Sequence, residues 1–349
     1  MKKSFKIATI GFVVASMFGL VAAAAGRDKI SIVGSSTVFP FSSAVAEQFG
    51  SRGQFPTPKV ESTGTGGGMS VFCRGVGVSH PDITNASRKM KLSEYQSCQR
   101  NGVREIVEVK IGYDGIVVSN SKNGPDFNLT RMQLYMALAK QIPNRGRMIP
   151  NPFRTWNQID PSLPNLPIDV MGPPPTSGTR DAFAELVMEV GARGFAQMDN
   201  LRSNNEAQFK RLATAIREDG AWKDSGENDN LIVQSLARNP NQLGIFGFSF
   251  FEENMDRVQA ATINGRQPTF ATISDSSYPI SRSMFFYIKK QNIGVVAGIQ
   301  EYATEFMSER AAGARGYLRG RGMVPLPAAE RARQAGIVEA LTPMRAPTS

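Results

Sequence analysis

The chain is poor in the residues that most often perform chemistry. Its 349 residues include two cysteines, Cys73 and Cys98, and one histidine, His80. With only two thiols and one imidazole, a zinc site built from protein ligands is the weaker reading. An activated serine or threonine needs a base, and His80 sits before Pro81, outside every hydroxyl-rich turn. No metal-binding cluster is visible, so a hydrolase such as a phosphatase is the weaker reading, and no cofactor is implied. Internal repeats and low-complexity tracts are also missing. The net charge of +10 is spread along the sequence rather than clustered. Dispersed charge argues against a nucleic-acid surface and suits a small anion or a nearby anionic membrane equally well.

Only one long apolar run is present. Lys2, Lys3 and Lys6 precede Ile7 to Ala25, which carries no charge, and Ala23 and Ala25 supply a small-residue cleavage pattern. This predicts a cleaved signal peptide over residues 1–25, with Gly26 as the mature N-terminus. A membrane anchor is the competing reading, since the run approaches bilayer length. Its Ala and Gly content and its small-residue end favour cleavage, and no Cys follows to carry a lipid. Losing the three lysines takes the charge from +10 to +7. Export to the periplasm also makes a Cys73–Cys98 disulfide the expected state, worth about 3 kcal/mol for a loop of that size.

With 41% hydrophobic and 20% charged residues, the chain is long enough for two domains with separate cores. Short apolar runs alternate with helical patterns, which predicts an α/β fold. Lys29 to Val33 reads as a strand, followed by a helix carrying Val38, Phe41, Val45 and Phe49, with Pro40 in its first turn. Lys59 to Ser62 reads as a second strand, Thr63 to Gly68 as a glycine-rich turn, and Met69, Phe72 and Cys73 as a helix face. A third strand ends in Asp82 to Arg88, and Glu105 to Ser119 alternates like a longer one. Helices are expected at Arg131 to Lys140, along Phe183, Leu186, Val187 and Val190, at Glu206 to Arg217, and finally at Val295 to Met307. Strands are expected at Ile168 to Met171, Leu243 to Phe250 and Met284 to Ile288.

Three strand-to-helix turns share one design: Ser35-Ser36-Thr37, Thr63 to Gly68, and Ser177-Gly178-Thr179. A helix start offers unpaired N–H donors and positive dipole density. Glycine lets an anion approach the backbone, and hydroxyls add donors. Three such starts meeting at one point would surround a tetrahedral oxyanion. Taken singly, each turn is also an ordinary helix cap. Recurrence lifts the binding reading, as does Arg180 beside the third turn, whose planar fork suits two oxygens and which Asp181 could orient.

The segments Gly34 to Phe41, Ser62 to Gly68, Asp82 to Met90 and Ser177 to Phe183 together resemble the periplasmic phosphate-binding proteins of phosphate-specific ABC importers. So do Leu129 to Leu138, Trp156 to Pro164 and Gly322 to Pro327, and the likeness runs from about residue 29 to 330. The resemblance implies a two-lobed type II clamshell in which each lobe is a mixed sheet flanked by helices. Lobe 1 would comprise residues 26–118 with 281–349, and lobe 2 residues 119–280. The two hinge crossings would fall near Val117 to Ser121 and Tyr278 to Arg282.

Carried over by motif, phosphate would meet the Ser36-Thr37-Val38 turn, through the amides of Thr37 and Val38 and the Thr37 hydroxyl. Thr65 and Gly66 would contribute from the second turn. Ser177, Gly178 and Thr179 would donate from the third, with Arg180 as the ionic contact and Asp181 behind it. Two departures from the pattern stand out. Arg88 occupies the place where relatives carry a carboxylate that accepts from protonated phosphate. Pro173 to Pro175 occupy the place where relatives carry their Arg. A second cation would weaken the rejection of sulfate, so another oxyanion (sulfate, molybdate or tungstate) is the alternative ligand. The implied partners are inorganic phosphate and the permease subunits of an importer, with the receptor a monomer and no role for nucleic acid.

Overall fold

A single long strand organises the fold. In the computed structural model, which describes residues 27–226 and 229–348, nine strands join one sheet. They are β1 (Ser31–Gly34), β2 (Lys59–Ser62), β3 (Ile83–Ala86), β4 (Ile106–Ser121), β5 (Val170–Gly172), β6 (Trp222–Asp224), β7 (Leu243–Gly247), β8 (Val258–Ala260) and β9 (Ser281–Lys289). The order is β2-β1-β3-β9-β4-β7-β5-β6, with β8 also on β4. One half has parallel β1, β2 and β3 with β9 antiparallel. The other has parallel β7, β5 and β6. Strand β4 belongs to both: Ile106 to Gly115 pairs with β9, and Ile116 to Ser121 pairs with β7 and β8. Its expected alternation gives way to near-continuous burial, because helices or loops cover both faces of this central strand.

The principal helices are α1 (Phe39–Gly50), α2 (Gly64–Phe72), α3 (Leu92–Arg100), α4 (Arg131–Leu138), α5 (Gly178–Phe183), α6 (Glu206–Ala213), α7 (Asp229–Arg238), α8 (Phe248–Glu253), α9 (Ile299–Met307) and α10 (Ala328–Ala340). Helix α5 runs on through a π-helical segment, Ala184–Glu189, and a last turn, Val190–Ala192. A small core of Met69, Phe72, Met90, Val103, Ile106, Phe285 and Tyr287 lies beside the Cys73–Cys98 disulfide, which ties the end of α2 to α3. The expected bridge is therefore present.

Several expectations change. The glycine run is not a free turn: α2 starts at Gly64 and includes the glycines. A Cβ on Gly68 would stand 2.4 Å from the Gly34 Cα, so the bare backbone lets α2 dock directly on the end of β1. Strand β7 ends at Gly247, and Phe248 opens α8. Helix α6 stops at Ala213. Arg217 instead lies buried, donating to the carbonyls of Ala137 (3.0 Å) and Phe153 (2.9 Å) and pairing with Asp219. Helix α9 begins at Ile299 and is not the last, since α10 follows. Glu330 of α10 holds the Lys110 ammonium and the Tyr113 hydroxyl of β4, each at 3.0 Å.

Among the described residues, no helix is long and apolar enough to cross a membrane. The expected signal peptide and Gly26 lie outside the described residues.

Candidate ligand-binding cleft

The first turn is set by Gly34, whose φ of +129° suits glycine and whose absent side chain leaves room for the Asn85 backbone. Ser35 then donates its amide to the Asn85 carbonyl at 3.0 Å. Its hydroxyl oxygen accepts from the Val38 amide at 3.4 Å, and α1 follows with Pro40 in its first turn. In the third turn the Ser177 hydroxyl oxygen accepts from the Thr179 amide at 3.2 Å, capping α5. Nearby, the Phe39 amide donates to the Ser35 carbonyl at 3.0 Å and the Asp181 amide to the Ser177 carbonyl at 3.2 Å, while Pro40 has no N–H; the remaining first-turn amides are the donors such helix starts offer. The two turns touch: a Cβ on Gly178 would stand 3.2 Å from the Ser36 carbonyl oxygen and 3.6 Å from the Thr37 Cα.

Between them opens a cleft of about 630 Å³. Ser36, Thr37, Ser177, Gly178, Thr179 and Asp181 line it. Asp114 of β4 joins them, as do Phe250, Glu253 and the 3-10 turn Arg319–Arg321 with Gly322. Of the second turn's surroundings only Ser62 reaches the cleft.

Five expected contacts stand elsewhere. Val38 is buried at the start of α1 and Gly66 lies within α2, and neither lines the cleft. The Thr65 hydroxyl oxygen accepts from the Ser87 amide at 3.1 Å and meets the Ser87 hydroxyl at the same distance. Arg88 turns to Glu94 in a two-pronged ion pair of 2.9 and 2.7 Å. That carboxylate also accepts from the Lys91 amide at 2.8 Å, so Arg88 steadies the start of α3 rather than the ligand seat. Burial pushes Glu94 up, but its hydrogen bonds prevail and hold the carboxyl below its ordinary value. Arg180 lies behind the third turn, its guanidinium 4.4 Å over the Trp222 ring. It donates at 2.9 Å to both the Pro173 carbonyl and Asp224. Asp224 also accepts from the Trp222 indole at 2.7 Å, so the aromatic face and the carboxylate together clamp Arg180.

Arg319 and Arg321 line the cleft itself, and behind Thr37 and Asp114 stands a further cation, Arg282, which the sequence reading did not assign. It lies directly opposite Asp114 in the β9–β4 pairing, where opposite charges attract across the ladder. Its guanidinium donates to the Thr37 hydroxyl oxygen, to Asp114 at 3.4 Å, and to Glu185 at 2.5 Å. Burial pushes the Asp114 carboxyl up, Arg282 pulls it back, and Glu185 adds to the rise, leaving a net upward shift. A signal existed: Asp114 and Arg282 are charges inside otherwise strand-like runs, the latter at an expected lobe crossing.

His80 packs on Gly75, away from the cleft, and burial followed by repulsion from Lys289 and Arg74 lowers its pKa. Among the described residues, no group of three or more His, Cys, Asp or Glu side chains is placed to hold a metal ion.

A mixed sheet shared by two halves, with helix starts facing each other over a polar cleft, defines a type II periplasmic-binding-protein fold. The chain belongs to the PBP superfamily domain family, which it matches over residues 21–310. Protein SphX of Synechococcus elongatus is 31% identical over 335 residues, which span 94% of this chain and 86% of that protein. Phosphate-binding protein PstS of Staphylococcus saprophyticus is 28% identical over 86% of this chain and 82% of its own length. A crystal structure of a possible phosphate binding protein from Planctomyces limnophilus aligns with a TM-score of 0.70 at 26% identity, covering 89% of this chain and 98% of that one. The resemblance drawn from the motifs is borne out. The relatives named for a function are binding proteins rather than enzymes.

Proposed function

We propose that this protein is an exported receptor that captures inorganic phosphate in its cleft and delivers it to the permease subunits of an ABC importer. The observation that carries the reading is the meeting of two helix starts, at Ser36-Thr37 and Ser177 to Thr179, over one polar cavity. Such starts favour a multiply charged oxyanion through fixed amide donors that need no reorganisation. Asp114 supplies what Arg88 does not: a carboxylate on the cleft wall that accepts from a protonated phosphate oxygen. Sulfate, which carries no proton near neutral pH, would face that carboxylate with charge against charge.

The lobes of this reading are residues 26–118 with 281–349, and residues 119–280. The change of partners along β4 at Gly115 and Ile116 supports a crossing there, and β9 starts beside it. Ligand contacts from both sides would then close the clamshell and mark the loaded receptor for its membrane partner. Titration calorimetry on the mature chain tests the assignment: phosphate should bind with sulfate much weaker, and equal binding of the two would replace phosphate by oxyanions in general. Release of phosphate from aryl phosphates by the purified protein would revive the enzyme reading. N-terminal sequencing of the exported chain should begin at Gly26.

A further inference from the structure

Arg282 sends its donors to three elements: Thr37 at the start of α1, Asp114 on β4, and Glu185 on the π-helical segment after the third turn. The guanidinium is 9% exposed, whereas Glu185 is 54% exposed. Thr37 and Asp114 both line the cleft, so the cation stands immediately behind two of its walls. A hydroxyl oxygen that accepts from a guanidinium keeps its own proton to donate, and the positive charge behind it strengthens that donation. A buried carboxyl beside a fixed cation is held as the anion; without the cation, burial favours the neutral acid. The charged groups facing Asp114 are Arg282 and Glu185, with Asp181, Asp229, Glu253, Arg319 and Arg321 around the same cleft.

We propose that Arg282 is the positioning residue that sets the cleft's preference for an oxyanion bearing a proton, by keeping Asp114 an acceptor and Thr37 a donor. The inference rests on the phosphate reading above. With Arg282 replaced by a neutral side chain, Asp114 loses the partner that pulls its carboxyl down, and burial then favours the protonated form, which can donate and suits a fully deprotonated anion. The seat then loses its ground for rejecting sulfate.

The test is calorimetry with orthophosphate and with sulfate, between about pH 5 and 8, on the full mature chain and two variants. Arg282→Gln should lower the phosphate-to-sulfate affinity ratio by about tenfold or more, the size expected for a lost charge-assisted contact. Its sulfate affinity should also strengthen as the pH falls. Arg282→Lys should bind phosphate more weakly yet keep the ratio. A uniform loss for both anions in Arg282→Gln, with the ratio and its pH profile unchanged, would make Arg282 a structural strut and overturn the proposal. Should Arg282→Gln fail to fold, Asp114→Asn carries the test. This neutral isostere can donate, so sulfate should gain on phosphate, and an unchanged ratio would equally overturn the idea. Absence of phosphate binding by the unaltered chain would remove the receptor reading itself, a result distinct from either variant's.

Discussion

The second and third turns look alike in sequence and serve different ends. Both follow a strand, both mix hydroxyls with glycine, and both open a helix. In the third turn Ser177, Gly178 and Thr179 face the cleft. In the second, Gly68 is spent on contact with Gly34, and the Thr65 hydroxyl on holding Ser87. A hydroxyl-and-glycine turn is thus a licence for close approach. Whether an anion or another piece of backbone makes the approach depends on the neighbouring element.

Substitutions can sharpen or break this contrast. The largest effect should come from Gly68→Ala, whose new methyl would collide with the backbone of β1. Denaturant unfolding should show a loss of about 3 kcal/mol, and an unchanged midpoint would mean that α2 is not tightly docked. Next, Thr37→Val should weaken phosphate binding by about tenfold or more, because it removes a donor on the cleft wall. The matching Thr65→Val should alter affinity by less than about threefold; equal losses in calorimetry would place both turns at the ligand. Smaller again, Arg180→Ala should cost about 1 kcal/mol of stability through the lost Trp222 and Asp224 contacts, with affinity nearly unchanged. Arg88→Ala should leave phosphate binding within about twofold, and a larger drop in either arginine variant would return that side chain to the seat.

Much of the fold was legible because local pattern and tertiary placement agree. Strand β2 falls where Lys59 to Ser62 was read, and α1 starts beside Pro40 as the first-turn rule requires. The glycine helix was not legible, since glycine disfavours helix and only the docking against Gly34 explains it. The apolar run Leu243 to Phe250 hid a boundary, because a buried strand and a buried helix read alike over so few residues. The site was half legible for a similar reason. Hydroxyl turns announce themselves locally, but the partners of a cation do not. Arg180 meets Asp224 from 44 positions away and Arg282 meets Thr37 from 245. Proximity to a promising motif favoured Arg180, whereas the fold sets Arg282 against two residues of the cleft, Thr37 and Asp114.

The family match ends at residue 310, yet Arg319 to Gly322 form part of the cleft wall and Val324 pairs with Tyr113 through hydrogen bonds of 2.8 and 2.9 Å. The Ser249 hydroxyl of α8 donates to the Met323 carbonyl at 3.2 Å, fixing this stretch to the helix that follows β7. The stretch after residue 310 therefore closes one side of the cavity, and a chain cut there would lose that side.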